Sequence, residues 1–309
     1  MEQARVHTGE ELLRGAETRT VVAALARAGV ASILIKGTAL AYTVYDAPAL
    51  RPRSDTDLLI AATDVDAARG VMTSLGYATT VYCSDLFSQF EVQKVDRFGM
   101  RHAFDVHWSI STQPVFAGLL TYDELLARAV PVPELGVAAI APRPVDALLL
   151  ACVHPVMHHR NVERVLWIYD VHLLASILSS DELEELAWLA RTKAVAGVCA
   201  HQLRLAQTAF GTAVPEAVFA VLARAGEPEP SAAYLASERR WHDELISSVR
   251  GLRSAGDRAR LLREVLFPSP GYMLGAYGLR GKPLGPWLLP ALYVYRNLRG
   301  LWKIISGEK

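Results

Sequence analysis

Asp55 and Asp57 stand two residues apart in the run Arg51-Pro52-Arg53-Ser54-Asp55-Thr56-Asp57-Leu58-Leu59-Ile60. In an extended strand side chains alternate faces, so the two carboxylates share one face and Thr56 takes the other. Two such carboxylates repel unless a cation sits between them. Hard oxygen ligands of this kind suit magnesium, with manganese as a substitute. Phe104-Asp105-Val106-His107-Trp108 repeats the spacing and puts Asp105 and His107 on one face of another strand. Ile35-Lys36-Gly37-Thr38 lies where an apolar run enters a helical stretch. A glycine there lets the backbone approach a ligand, and a helix N-terminus offers free N–H donors to phosphate oxygens. Thr38 adds a hydroxyl and Lys36 a positive charge. Three carboxylates facing a glycine turn that can hold phosphates describe nucleotidyl transfer.

The elements that must position these residues alternate helix and strand over the first half. Thr8 and Glu11 read as a capping box opening a helix that Gly29 stops. Residues 31–35 form a short apolar strand, 38–45 a helix, and 56–61 a second strand. Thr63 reads as the cap of a helix running to Leu75, with Gly76 in the left-handed position. Strand patterns follow at 77–82, 90–95 and 101–108, the last two joined by a turn at 96–99. Prolines 131, 133, 142 and 144 then punctuate a linker or a last edge strand at 136–140. Beyond Val145 the periodicity predicts helices at 145–159, 162–178, 181–192, 194–209, 215–224, 232–250 and 255–266. A Gly-, Pro- and Tyr-rich tail at 268–285 precedes a basic amphipathic stretch at 287–305.

Composition bounds the partners. The 309 residues carry 32 basic and 32 acidic side chains, so the net charge is zero, and 51% are hydrophobic. This is a core-forming composition that excludes a strongly basic nucleic-acid binder, and no long nucleic acid is expected. Cys83, Cys152 and Cys199 have no metal-type spacing and read as core residues in a reducing compartment, hence a cytoplasmic location. The expectation includes no signal peptide and no transmembrane segment, since no long apolar run is free of charge.

In order, Lys36-Gly37-Thr38, Asp55-Thr56-Asp57 and Asp105-Val106-His107-Trp108 resemble the nucleotidyltransferases of the DNA polymerase beta superfamily. The match is to the branch called uncharacterised nucleotidyltransferases. That branch pairs a lysine before the glycine with an arginine shortly before the acid pair, here Arg53, and a His-Trp after the third Asp. His154-Pro155-Val156-Met157-His158 and Leu166-Trp167-Ile168-Tyr169-Asp170 resemble its helical HxxxH and LWxxD elements, and Leu266-Phe267-Pro268-Ser269 its late aromatic-proline motif. Thr38 departs from the commoner serine but keeps the hydroxyl.

The resemblance implies an α+β fold: a polymerase-beta-like mixed sheet with helices over residues 1–140, then an all-helical domain over 141–309 that completes the cleft. It implies a magnesium-dependent enzyme moving an NMP from an NTP, ATP foremost, to a hydroxyl of a small molecule or peptide, with release of pyrophosphate. Asp55, Asp57 and Asp105 would be the catalytic metal ligands, and Lys36, Gly37, Thr38 and Arg53 would bind the nucleotide. Arg51, His107, His154 and His158 are auxiliary candidates, although Arg51 alone reads as a solvated loop charge and Asp170 as an interhelix hydrogen-bond partner. His154 and His158 have a zinc-compatible spacing, but no Glu follows His154. Packing, or contact with nucleotide or acceptor, is preferred. Two rival readings are a transferase acting on a phosphopeptide or peptide and an inactive nucleotide-binding regulator. Near the end, Tyr293, Tyr295, Arg296, Arg299, Trp302 and Lys303 read either as a membrane-surface element or, preferred, as a closing helix packed on the helical domain.

Overall fold

A computed structural model describes residues 2–80, 88–111, 113, 115–116, 118–224, 229–236, 249, 255–279 and 282–306. The chain opens with helix α1 (Glu2–Arg27). Thr8 and Glu11 lie inside it rather than at its start, so they form no capping box; the helix starts nearly two turns earlier than their pattern suggests. Gly29, at φ 78°, ends the helix in a left-handed turn, with Val30 N–H donating to the Leu25 carbonyl at 2.9 Å. Strand β1 (Ser32–Ile35) leads directly into α2 (Lys36–Thr43), and β2 (Thr56–Ile60) follows a short loop. Helix α3 (Val65–Ser74) starts after a single 3-10 turn that contains Thr63, so Thr63 is not its cap. Strands β3 (Ala78–Thr79), β4 (Gln89–Val95) and β5 (Arg101–His107) come next, β4 and β5 joined by the expected turn. The end of the strand expected at 77–82 lies outside the described residues.

Seven strands form one mixed sheet in the order β3-β4-β5-β2-β1-β7-β6, where β6 is Val130–Pro131 and β7 is Ile140–Ala141. Pairing is parallel for β2 with β5 and for β1 with β7, and antiparallel elsewhere. The Pro-punctuated stretch is therefore the sheet's last edge. The alternation of side chains divides the core in two. Leu34, Leu58, Ile60, Phe90, Val92, Phe104 and Val106 point to one face and pack with Val21, Val22 and Leu25 of α1 and Met72 of α3. Ile33, Ile35 and Leu59 point to the other face, into a larger apolar cluster that continues through the helical half. Asp57 and Asp105 belong, by the same alternation, to this second face.

Between β5 and β6 lies α4 (Tyr122–Ala127), opened by a Thr121–Glu124 capping box that the periodicity alone did not reveal. Then come α5 (Pro144–His158), α6 (Val165–Ile177), α7 (Ser180–Thr192), α8 (Ala196–Phe210) and α9 (Glu216–Leu222). Leu148, Cys152 and Val156 of α5 are spaced four apart and fully or nearly buried against the sheet and the neighbouring helices. Cys152 and Cys199 are buried free thiols of this core, as expected; Cys83 lies outside the described residues. Of the helix expected at 232–250, Pro230–Leu235 is a 3-10 segment and most of the rest is outside the described residues. Helices α10 (Ala255–Leu266), α11 (Pro270–Ala276) and α12 (Gly285–Ser306) close the chain.

One buried ion pair ties the two halves together. The Arg51 guanidinium donates from Nε to Asp170 Oδ1 and from Nη2 to Oδ2, each at 2.8 Å, and Tyr45 donates its hydroxyl to Oδ1 at 2.7 Å. Arg51 is thus not a solvated loop charge: the loop before β2 passes beneath α6, where Asp170 holds both donors of the planar fork. Asp170 is a hydrogen-bond partner as expected, but to that loop and to Tyr45, two residues past α2. Burial pushes its carboxyl up, and the bonds and charge of Arg51 pull it back only in part. Removing one member of a buried pair leaves the other charge uncompensated and costs about 3–5 kcal/mol. Asp170→Ala should lose roughly that much in urea unfolding, and adding Arg51→Ala should restore part of it. A loss below about 1 kcal/mol would mean that water, not protein, solvates Arg51.

Candidate functional site

The parallel register of β2 and β5 sets Asp57 directly beside Asp105. Asp55 precedes β2 by one residue, and Glu91 of β4 lies across from Asp105 on the other side. Leu58, Leu59 and Ile60 are completely buried and hold β2 in place under its acids. Acidic groups from three adjacent strands and one strand mouth are thereby gathered on one face of the sheet.

Lys36 answers that charge. Its backbone sits at φ 53°, a left-handed conformation that a side chain bearing a Cβ adopts only at a cost. From there Nζ donates to Asp57 Oδ1 at 2.6 Å. His107 Nε2 lies 2.9 Å from the same oxygen and 3.3 Å from Nζ. Burial, then the Lys36 charge, lowers the His107 pKa, so the ring is neutral. A carboxylate can only accept, so Nε2 carries the proton and donates it to Asp57. For Asp57 itself burial acts upward, but Lys36 and His107 outweigh it and hold the carboxyl well below its usual range. Asp105 has no such partner among the described residues. Burial, then the charges of Asp57 and Asp55, push it up to about 7. Asp55 is raised by burial and by Asp57.

These groups open onto a cavity of about 450 Å³ between the sheet and helices α5 and α6. Its walls bring together most of the residues singled out from sequence: Lys36, Gly37, Arg51, Arg53, Asp55, Asp57, Asp105, His154 and His158. His107 stands behind Asp57, buried. Thr38 does not line the cavity; it is 1% exposed, and its hydroxyl is buried with no hydrogen-bond partner among the described residues. A helix starting at Lys36 turns that side chain inward. Gly37 has no left-handed φ, and a Cβ there would make only ordinary contact with the Arg51 guanidinium at 3.5 Å. The backbone freedom expected of the glycine is used by its neighbour Lys36.

Arg53 donates from Nη2 to Glu11 Oε1 at 2.7 Å, while its Nε and Nη1 are buried without a partner among the described residues. Glu11 also accepts from the Tyr42 hydroxyl at 2.7 Å. Arg14 lies close to Arg53, and burial followed by the Arg53 charge lowers its pKa. Arg14 and Tyr42 were not singled out from sequence, and Glu11 only as a capping-box residue; only the fold brings α1 under this loop. The opposite wall is aromatic. His159 and Trp167 rings stand 4.4 Å apart, His154 and Trp167 5.2 Å, and the Arg164 guanidinium lies 4.6 Å over Trp167. Burial is the first cause lowering the pKa of His154, His158 and His159, with Lys36 among the further causes for each. These are neutral imidazoles, and His154 Nδ1 is buried and unpartnered among the described residues. Adjacency to His158 was the one sequence signal for His159.

Among the described residues, the ligand atoms that converge within 4.8 Å as a metal would need belong to Asp57, Asp105 and His107. His154 and His158 form no such group. Two in-register carboxylates, one of them short of a counter-charge, fit a hard divalent cation.

The family described as uncharacterised nucleotidyltransferase matches residues 2–211. The chain belongs to this nucleotidyltransferase family. The match includes every residue of this site and stops at the end of α8. No curated protein matches the chain. Among solved structures, the crystal structure of JHP933 from Helicobacter pylori is similar over 86% of this chain and 98% of that one, at 13% identity and a TM-score of 0.39.

The charge balance sets a pH dependence for the metal-free nucleotidyltransferase. Asp105 has a folded pKa near 7, above its value in an unfolded chain. The folded state therefore binds the extra proton, and stability is lost as pH rises from about 4 through 7. Asp105→Asn removes this loss. In a chelator, its stability relative to the parent should rise with pH across that window, by on the order of 1–3 kcal/mol at pH 8. Urea titrations at pH 4 to 8 measure it. A difference that is constant with pH would show that Asp105 is not perturbed.

Proposed function

We propose that the protein transfers a nucleoside monophosphate from an NTP, ATP foremost, to a hydroxyl of a small molecule or peptide, releasing pyrophosphate. The observation that carries this reading is the in-register pair Asp57–Asp105, with Lys36 beside it, at the base of a cavity in a nucleotidyltransferase. Residues 1–140 would supply the catalytic half and 141–309 the helical half completing the cleft. A cytoplasmic setting agrees with two free buried thiols, and no helix among the described residues is long and apolar enough to cross a membrane.

Asp55, Asp57 and Asp105 are the residues that would hold magnesium, or manganese in its place. Bound there, a divalent ion supplies positive charge to the triphosphate and acidifies a hydroxyl. The chain's own groups do the rest. Lys36 Nζ and the unpartnered nitrogens of Arg53 offer charge-assisted donors to phosphate oxygens, and the first turn of α2 offers its N–H groups. The Thr38 contribution is then its backbone N–H, since its hydroxyl is turned into the core. The acceptor oxygen attacks the α-phosphorus in line, the bond to the β-phosphate oxygen breaks, and pyrophosphate leaves with the electron pair. The hydroxyl proton goes to the Asp105 carboxylate, the acid that Lys36 and His107 leave without a hydrogen bond. Across the cavity, Trp167, Arg164 and the neutral His154, His158 and His159 offer stacking and hydrogen bonds to an acceptor. A chain with no net charge gives long nucleic acid little electrostatic attraction.

Incubating the protein with each NTP, magnesium and candidate acceptors, followed by mass spectrometry, looks for the NMP adduct directly. With an acceptor in hand, Asp105→Asn should leave magnesium-dependent NTP affinity within a few-fold by calorimetry, yet lower pyrophosphate release by roughly 10²–10⁴. Asp57→Asn should instead abolish the tightening of NTP binding by magnesium. Near-normal turnover in Asp105→Asn would remove that residue from the chemistry.

A further inference from the structure

Helix α12 lies beyond the family match and carries a two-faced surface. One face is occupied: Tyr293 donates its hydroxyl to the Pro268 carbonyl at 2.6 Å, Arg296 to Val265 at 2.6 Å, and Asn297 to Leu266 at 3.0 Å. The helix therefore leans on α10 and α11, a closing helix packed on other helices of the C-terminal half as the sequence pattern suggested. The opposite face is apolar and open. Trp287, Val294, Leu298 and Leu301 recur every three to seven residues, flanked by Tyr295 and Trp302. Trp287 is 82% exposed, Trp302 64% and Leu298 62%. A continuous stripe of large apolar side chains is rare on a surface that meets only water.

The charge around the stripe selects its occupant. From Val265 to Ser306 the sequence has no Asp or Glu, but it has Arg280, Lys282, Arg296, Arg299 and Lys303. Arg299 borders the shallow groove formed by Tyr295, Leu298, Leu301 and Trp302. A second copy of this face would oppose like charges with no acid to offset them. An anionic lipid surface complements them, and Trp and Tyr side chains favour the headgroup boundary. Since α12 is not apolar enough to cross a bilayer, it would lie in the plane of the interface.

We infer that α12 docks the protein on an anionic membrane surface, its apolar stripe entering the headgroup boundary and its basic border engaging lipid phosphates. The inference is independent of the nucleotidyl-transfer reading.

The test is cosedimentation of the full chain with vesicles of mixed phosphatidylglycerol and phosphatidylcholine, beside vesicles of phosphatidylcholine alone. Pelleting with the anionic vesicles, weakened at high salt, is expected; binding should fall by about five-fold for each basic side chain removed, as in Arg299→Gln. Leu298→Glu and Trp302→Glu change exposed positions, so circular dichroism should be unchanged while pelleting is lost. The inference is overturned by failure of the unaltered chain to pellet, by equal pelleting with neutral vesicles, or by undiminished pelleting of both Glu variants. A dimer in light scattering that Leu298→Glu dissolves, without vesicle binding, would assign the face to a second copy instead.

Discussion

Carboxylates crowded on a sheet face where water is scarce repel one another, and the surrounding structure is organised around that repulsion. Asp57 and Asp105 are abreast because β2 and β5 are parallel and in register, and Asp55 adds a third charge at the strand mouth. The low dielectric that strengthens the repulsion also strengthens attraction to any cation brought close. Lys36 supplies one, at the expense of a left-handed backbone worth about 1–2 kcal/mol. Its hydrogen bond goes to Asp57, and His107 adds another to the same oxygen. Asp105 is left raised, which makes one acid of the group a proton acceptor near neutrality and the other a permanent anion. Environment, not residue type, assigns these different characters.

The rest of the fold can be followed outward from that face. The apolar alternation of β1, β2 and β5 anchors one side of the sheet on α1 and α3, leaving the acidic side to the helical half. Helix α5 reaches over that side with His154 and His158 on the cavity wall, and α6 contributes Trp167 and Asp170. Asp170 then binds Arg51, in the loop that delivers Asp55 and Asp57. The strand bearing the acids is thus held from below by its leucines and from the side by the second half of the chain.

Much of this was legible in the sequence because it depends on short-range periods. Asp-x-Asp before Leu-Leu-Ile places two acids on one strand face, and Lys-Gly-Thr marks a strand-to-helix junction. Both follow from alternation and from helix starts. Local rules failed where a residue's partner is remote. Thr8 and Glu11 imitate a capping box, yet Glu11 belongs to Arg53 and Tyr42. Arg51 has the flanking prolines of an exposed loop, but its partner is on α6. Thr38 has the right hydroxyl, but the first turn of α2 directs it into the core. At α12 the amphipathic pattern was plain in the sequence; which face meets protein was not, because that depends on α10 and α11.

The register of β2 against β5 has a consequence for how the protein comes to exist. Asp57 and Asp105 are far apart in the chain, and the segments that become α3, β3 and β4 intervene. Parallel pairing over such a span needs loop closure before any contact rewards it, and is slow compared with helix formation or a hairpin. A slip of one residue would turn Phe104 and Val106 toward the acids and bury Asp105 and His107 against α1 and α3. A chain in which β2 and β5 have not paired in register cannot present the acidic pair. Whatever binds these residues therefore also selects for correctly paired molecules as the chain folds.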